Sequence, residues 1–128
     1  MILVTGVAGF IGSNLCHYLT LLREKVIGLD ALLTGSSLSN LKDIDCNFFA
    51  LEIVDLRNVE VLESLFLKYP IEHIYHLAAE SHVDRSIDND ISFWTSNVIG
   101  TRNLLQCALQ YKILKVINQI SDEAFGPK

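Results

Sequence analysis

Apolar positions along this chain follow two alternating rhythms. Short unbroken apolar runs at residues 2–4 and 26–29 suit strands buried on both faces, whereas residues 11–22 place their apolar side chains at helical spacing. Read in order, the pattern predicts a strand over 1–5, a helix over about 10–22, a strand over 25–30 and a strand over about 47–51. A helix over about 57–68, a strand over 72–77, a helix over about 90–111 and a strand over about 114–119 follow. Such alternation gives an α/β fold: a doubly wound parallel sheet with helices on both faces. Five strands in the order 3-2-1-4-5 are the smallest arrangement of this kind, with a ligand crevice at the carboxyl ends of strands 1 and 4. Residues 31–45, rich in Ser, Thr, Gly and Asn, read as a loop with a short helical turn beside that crevice.

The junction of the first strand and first helix carries the candidate chemistry. Gly6, Gly9 and Gly12 follow the strand at three-residue spacing. In a dinucleotide-binding (Rossmann-like) turn the first glycine permits the tight bend, the second admits a diphosphate close to the backbone, and the third lets helix pack on strand. Free N–H groups and the positive dipole end of a helix starting near Phe10 would face the anion. Asp30 ends the second strand, where a carboxylate accepts hydrogen bonds from an adenosine ribose and repels a 2′-phosphate. With no Lys or Arg between Ala31 and Leu41, NAD is expected rather than NADP.

Composition narrows the classes. The chain of 128 residues is 50% hydrophobic, enough for one domain with a real core. A net charge of −5 without a basic cluster argues against a nucleic-acid partner, and no apolar run is long enough to span a bilayer. Cys16, Cys46 and Cys107 are odd in number, lack metal-site spacing and lie in apolar segments. They read as buried reduced thiols, and a cytoplasmic location is expected. No metal site is expected from His17, His73, His76 and His82; His73 and His76, three apart on a strand, point to opposite faces.

Residues 5–15, Thr-Gly-Val-Ala-Gly-Phe-Ile-Gly-Ser-Asn-Leu, resemble the opening of the extended short-chain dehydrogenase/reductase family, whose members act on nucleotide sugars. Residues 76–87, His-Leu-Ala-Ala-Glu-Ser-His-Val-Asp-Arg-Ser-Ile, resemble its dTDP-glucose 4,6-dehydratase subgroup. So do residues 121–126, Ser-Asp-Glu-Ala-Phe-Gly, beside the subgroup's Thr-Asp-Glu-Val-Tyr-Gly. Residues 96–101, Ser-Asn-Val-Ile-Gly-Thr, resemble the family's long fourth helix, with Asn97 supporting the active-site backbone.

The resemblance implies that Gly6, Gly9, Phe10, Ile11 and Gly12 cradle the NAD diphosphate, that Asp30 takes the ribose, and that Ala78 and Ala79 line the cofactor wall. Glu52 and Ile53 stand where the family has Asp-Ile against the adenine, and Ser81 and His82 fall on the substrate side. Catalysis would fall to three residues: Ser121 on the C4 oxygen, Asp122 as acid for the departing C6 hydroxyl, and Glu123 as base for the C5 proton. By spacing alone Asp122 and Glu123 are an ordinary solvated acidic pair; their surroundings supply the catalytic reading. The implied reaction oxidises C4, loses water across C5–C6 and reduces C6.

The family's oxidation also uses a Tyr-x-x-x-Lys pair after this point. Tyr111 and Lys115 have that spacing but precede the acidic pair. Residues 1–128 therefore read as an NAD-binding domain incomplete at its C-terminus, truncated after the fifth strand and inactive alone. Ile91, Trp94, Val98, Leu105 and Leu109 give the helix at 91–111 an apolar face suited to homo-oligomer contact. Two alternatives are a nucleotide-sugar epimerase or decarboxylase fragment, and a non-catalytic nucleotide- or protein-binding module.

Overall fold

The computed structural model describes residues 1–33, 35–78 and 95–120. Strands β1 (Ile2–Thr5), β2 (Val26–Asp30), β3 (Phe49–Ile53), β4 (His73–His76) and β5 (Lys115–Asn118) form one parallel sheet in the order β3-β2-β1-β4-β5. This is the strand order that the alternating pattern predicts. The chain winds outward from β1 to β3, returns to β4 and continues to β5, so the connections diverge between β1 and β4.

Helix α1 (Phe10–Leu21) packs on one face of the sheet, where Val4, Val7, Cys16, Leu19 and Val26 are buried together. Helices α2 (Val59–Lys68) and α3 (Thr101–Gln110) serve the opposite face, whose core includes Leu3, Ile27, Leu62, Ile74 and Leu104. Burying each of these large aliphatic side chains stabilises the fold by roughly 1.5–3 kcal/mol. Asn58 caps α2 by accepting a hydrogen bond from the Val61 amide at 3.3 Å, and Glu60 and Lys68 sit at the ends of the helix where its dipole favours them. Asn103, buried in α3, donates to the Leu56 carbonyl at 3.0 Å and thereby ties α3 to the loop after β3.

Two sequence expectations need correction. The long helix over about 90–111 is not one α-helix: Thr95–Gly100 is a π-helical turn that leads into α3, and residues 90–94 lie outside the described residues. The wider turn holds an extra residue, so side chains on either side of it do not share one helical face. Cys46 is exposed, unlike Cys16 and Cys107. It lies in a turn where Asp45 accepts a hydrogen bond from the Asn47 amide at 2.9 Å, so local polar bonding rather than packing sets its position.

Candidate functional site

At the carboxyl end of β1 the chain bends through Gly6, whose φ of +70° lies in the left-handed region. The bend also needs the missing side chain: a Cβ on Gly6 would come within 2.8 Å of the Leu77 and Ala78 backbone. A Cβ on Gly12 would overlap the Gly6 carbonyl oxygen, so α1 lies directly against the turn only because residue 12 has none. Gly9 caps α1 from an extended conformation, without any side-chain cap. Its carbonyl accepts from Ser13 at 3.0 Å, the first bond of the helix, and the amides of Phe10, Ile11 and Gly12 donate to no other described residue. Three N–H donors at the positive end of a helix, reached over glycine rather than side chains, are an arrangement able to receive an anionic group.

Contacts on both sides of Ala8 hold this turn. Its amide donates to Asp30 Oδ2 at 2.8 Å, and its carbonyl accepts from the Ser37 amide at 3.0 Å and from Asn40 Nδ2 at 2.9 Å. His17 of α1 in turn donates through Nε2 to the Asn40 carbonyl at 3.0 Å. The polar loop after β2 is thus latched to the glycine turn, and its predicted helical turn is the 3-10 helix Leu38–Leu41.

Asp30 is 6% exposed, and its Oδ1 accepts from the Leu32 amide at 2.7 Å. One bond to each carboxylate oxygen leaves further lone pairs for hydroxyl donors. Next to it in register is Ile53, 54% exposed at the end of β3, which offers an apolar surface beside the crevice. The Glu52 side chain is committed elsewhere: Oε1 accepts from Tyr69 Oη at 2.7 Å and from Lys68 Nζ at 3.0 Å, at the end of α2. The Tyr69 hydroxyl first, and then Lys68, hold the Glu52 carboxyl below the usual carboxylate range. Any ligand contact at residue 52 therefore falls to its backbone.

Thr5 and His76, given no role in the candidate site by the sequence, lie beside the glycine turn. Thr5 Oγ1 accepts from the amides of Leu77 and Ala78, both at 3.1 Å, and lies 2.7 Å from His76 Nδ1; His76 Nε2 lies 2.8 Å from Thr101 Oγ1. Burial lowers the His76 pKa to about 4, so the ring is neutral at physiological pH. The available signal is a hydroxyl that ends the apolar strand β1 and an imidazole that ends β4, polar groups whose burial demands partners.

Gly6, Gly9, Phe10, Ile11, Gly12, Asp30, Ile53 and Ala78 thus converge at the carboxyl ends of the strands. Ala79, Ser81, His82, Ser121, Asp122 and Glu123 lie outside the described residues. Among the described residues no helix is long and apolar enough to cross a membrane.

Residues 2–128 match the NAD dependent epimerase/dehydratase family. A dTDP-D-glucose 4,6-dehydratase from Dictyostelium discoideum is 41% identical over 131 residues, covering 98% of this chain and 30% of that protein. The solved dTDP-glucose 4,6-dehydratase from Bacillus anthracis, in complex with NAD, superposes with a TM-score of 0.86 at 35% identity, over 99% of this chain and 39% of that one. The Thermotoga maritima UDP-glucose 4-epimerase, solved with UDP-glucose, superposes with a TM-score of 0.84 at 31% identity, over 91% of this chain and 36% of that one. This chain spans about a third of the length of such relatives.

Proposed function

We propose, from the premise that this chain belongs to the NAD dependent epimerase/dehydratase family, that residues 1–128 are the NAD-binding portion of a nucleotide-sugar 4,6-dehydratase. One observation carries the reading: the amides of Phe10, Ile11 and Gly12 stand at the start of α1 without acceptors among the described residues, over a turn that tolerates no side chain at Gly6 or Gly12. Bound there, NAD supplies the hydride acceptor and donor of the reaction.

The chain's own residues bind and orient it. The three amides take the diphosphate, and Asp30, already fixed by Ala8 and Leu32, turns its remaining lone pairs to the ribose hydroxyls. Ile53 and the backbone of Glu52 bound the adenine, and Ala78 and Ala79 form the wall near the nicotinamide. The dehydratase assignment over an epimerase rests on the 41% identity to a dehydratase and on the sequence of residues 121–126. On that assignment Ser121 bonds the C4 oxygen, Asp122 protonates the leaving hydroxyl and Glu123 removes the C5 proton. Ser81 and His82 face the sugar. Val98, Leu105 and Leu109, exposed on the helical segment leading into and through α3, supply a homo-oligomer contact. Sedimentation should show self-association that weakens in a Leu105→Glu/Leu109→Glu variant.

Calorimetric titration with NAD+, NADH and NADP+ tests the cofactor assignment. NAD+ and NADH should bind, and NADP+ should bind at least about tenfold more weakly, because its 2′-phosphate meets the Asp30 carboxylate. A folded chain that binds none of them overturns the assignment and leaves a protein-binding module; equal binding of NADP+ removes the role given to Asp30.

A further inference from the structure

We infer that His76 is a positioning residue, a neutral imidazole protonated at Nε2 that pins the glycine turn and the β4 wall of the crevice to helix α3. This inference rests on the reading of that crevice as a cofactor site, but its geometry can be tested without cofactor.

The proton assignment follows from counting. A threonine hydroxyl has one proton and two lone pairs. Thr5 Oγ1 accepts from two amides, those of Leu77 and Ala78, each at 3.1 Å. Its lone pairs are used, so its proton goes to the remaining close partner, His76 Nδ1 at 2.7 Å. An Nδ1 that accepts carries no proton, and a neutral ring then bears its hydrogen on Nε2, directed at Thr101 Oγ1 2.8 Å away. One arrangement of protons thus satisfies the polar side-chain atoms of Thr5 and His76.

The junction spans three elements: Thr5 ends β1, His76 ends β4 and Thr101 begins α3. What it holds is the backbone at Leu77 and Ala78. That backbone lies so close to Gly6 that a Cβ there would come within 2.8 Å of it. A shift of Ala78 therefore displaces the Gly6 turn, and with it the amides at the start of α1. In this way the imidazole, which lies beneath the crevice, sets the spacing between the glycine turn and the wall opposite. The connection to Thr101 extends the constraint to the segment after the π-helical turn Thr95–Gly100.

Nitrogen-15 NMR of the 128-residue chain at neutral pH tests the proton assignment: His76 should show an unprotonated Nδ1 and a protonated Nε2. Amide hydrogen exchange and NAD+ titration test the pinning. His76→Leu should speed exchange at Gly6, Leu77 and Ala78 and weaken NAD+ binding, each by about tenfold, because the Thr5 hydroxyl loses its acceptor. His76→Asn, whose amide oxygen can take the place of Nδ1, should recover most of both losses. An Nδ1-protonated ring in the wild-type chain overturns the inference, as does a His76→Leu variant with unchanged exchange at Leu77 and Ala78. Should His76→Leu fail to fold, the wild-type nitrogen spectrum and the His76→Asn variant decide it. Absence of NAD+ binding to a wild-type chain with the expected ring and protected amides would overturn the cofactor reading instead.

Discussion

Burial pushes the Cys16 thiol up to about 12 and raises that of Cys107, the latter also through the charge of Glu63. Since the thiolate is the reactive form, these two sulfurs are chemically silent while the chain is folded, whereas Cys46 lies exposed to reagent. Labelling with a disulfide reagent at pH 8 should therefore modify one thiol rapidly in the native chain and all three in denaturant. Rapid modification of Cys107 in the native chain would mean that α3 opens readily from the sheet. The residue scale also shows what sequence conveys poorly. Cys46 is expected to be buried like the other two thiols, but it sits between Asp45 and Asn47, and the turn that Asp45 directs leaves it outside. The family resemblance places Glu52 and Ile53 together against the adenine, yet alternation along β3 sends the Glu52 carboxylate toward Tyr69 and Lys68.

Helix ends show a cost that the chain accepts twice. After α1, Arg23 has φ +63°, and its amide and that of Glu24 donate to Thr20 and Leu19 at 3.0 and 3.1 Å. After α3, Lys112 has φ +54°, with Lys112 and Ile113 donating to Leu109 and Ala108 at 3.3 and 2.9 Å. Both are paired-carbonyl C-caps that glycine usually serves, because a side chain in the left-handed region is strained. Lys112→Gly should relieve that strain and stabilise the chain by about 0.5–1 kcal/mol, read as a rise in melting temperature of roughly 2–5 °C. Arg23→Gly should give less, since Arg23 also lies over the Phe48 ring at 5.8 Å. An unchanged or lower melting temperature for Lys112→Gly would show that the left-handed residue carries no strain. At this scale most of the fold was legible. Apolar runs marked the buried strands, and the glycine spacing marked the turn, because Gly6 and Gly12 stand where a Cβ would strike backbone. The π-helical turn at Thr95–Gly100 left no such mark, since its extra residue changes hydrogen bonding without changing composition. The Thr5–His76–Thr101 junction was hidden for a further reason: its members are far apart in sequence and meet only when β4 pairs with β1.

At the scale of the whole molecule, the same junction couples stability to pH. His76 has its ordinary pKa of 6.5 when unfolded and about 4 when folded, a depression caused by burial. Between these values the unfolded chain binds more protons, so stability must fall as pH falls, beginning near 6.5 and ending near 4. The part of this loss between pH 6.5 and 5 is roughly 1.5 kcal/mol. Glu52 and Asp55, whose carboxyls are held low by Tyr69 with Lys68 and by Arg57, add a loss at more acidic pH as they take up protons. Both are partly exposed, so solvent screening keeps their share small. Urea unfolding at pH 7.5, 6.5, 5.5 and 5 should thus show a decline for the wild-type chain that is largely absent from His76→Asn, which is less stable at pH 7.5 but has no imidazole to protonate. Parallel pH profiles for the two chains would mean that His76 does not control the decline. In the expected case the loss of stability should be accompanied by faster amide exchange at Ala78, because the proton that charges the ring enters at Nδ1, where it opposes the Thr5 hydroxyl.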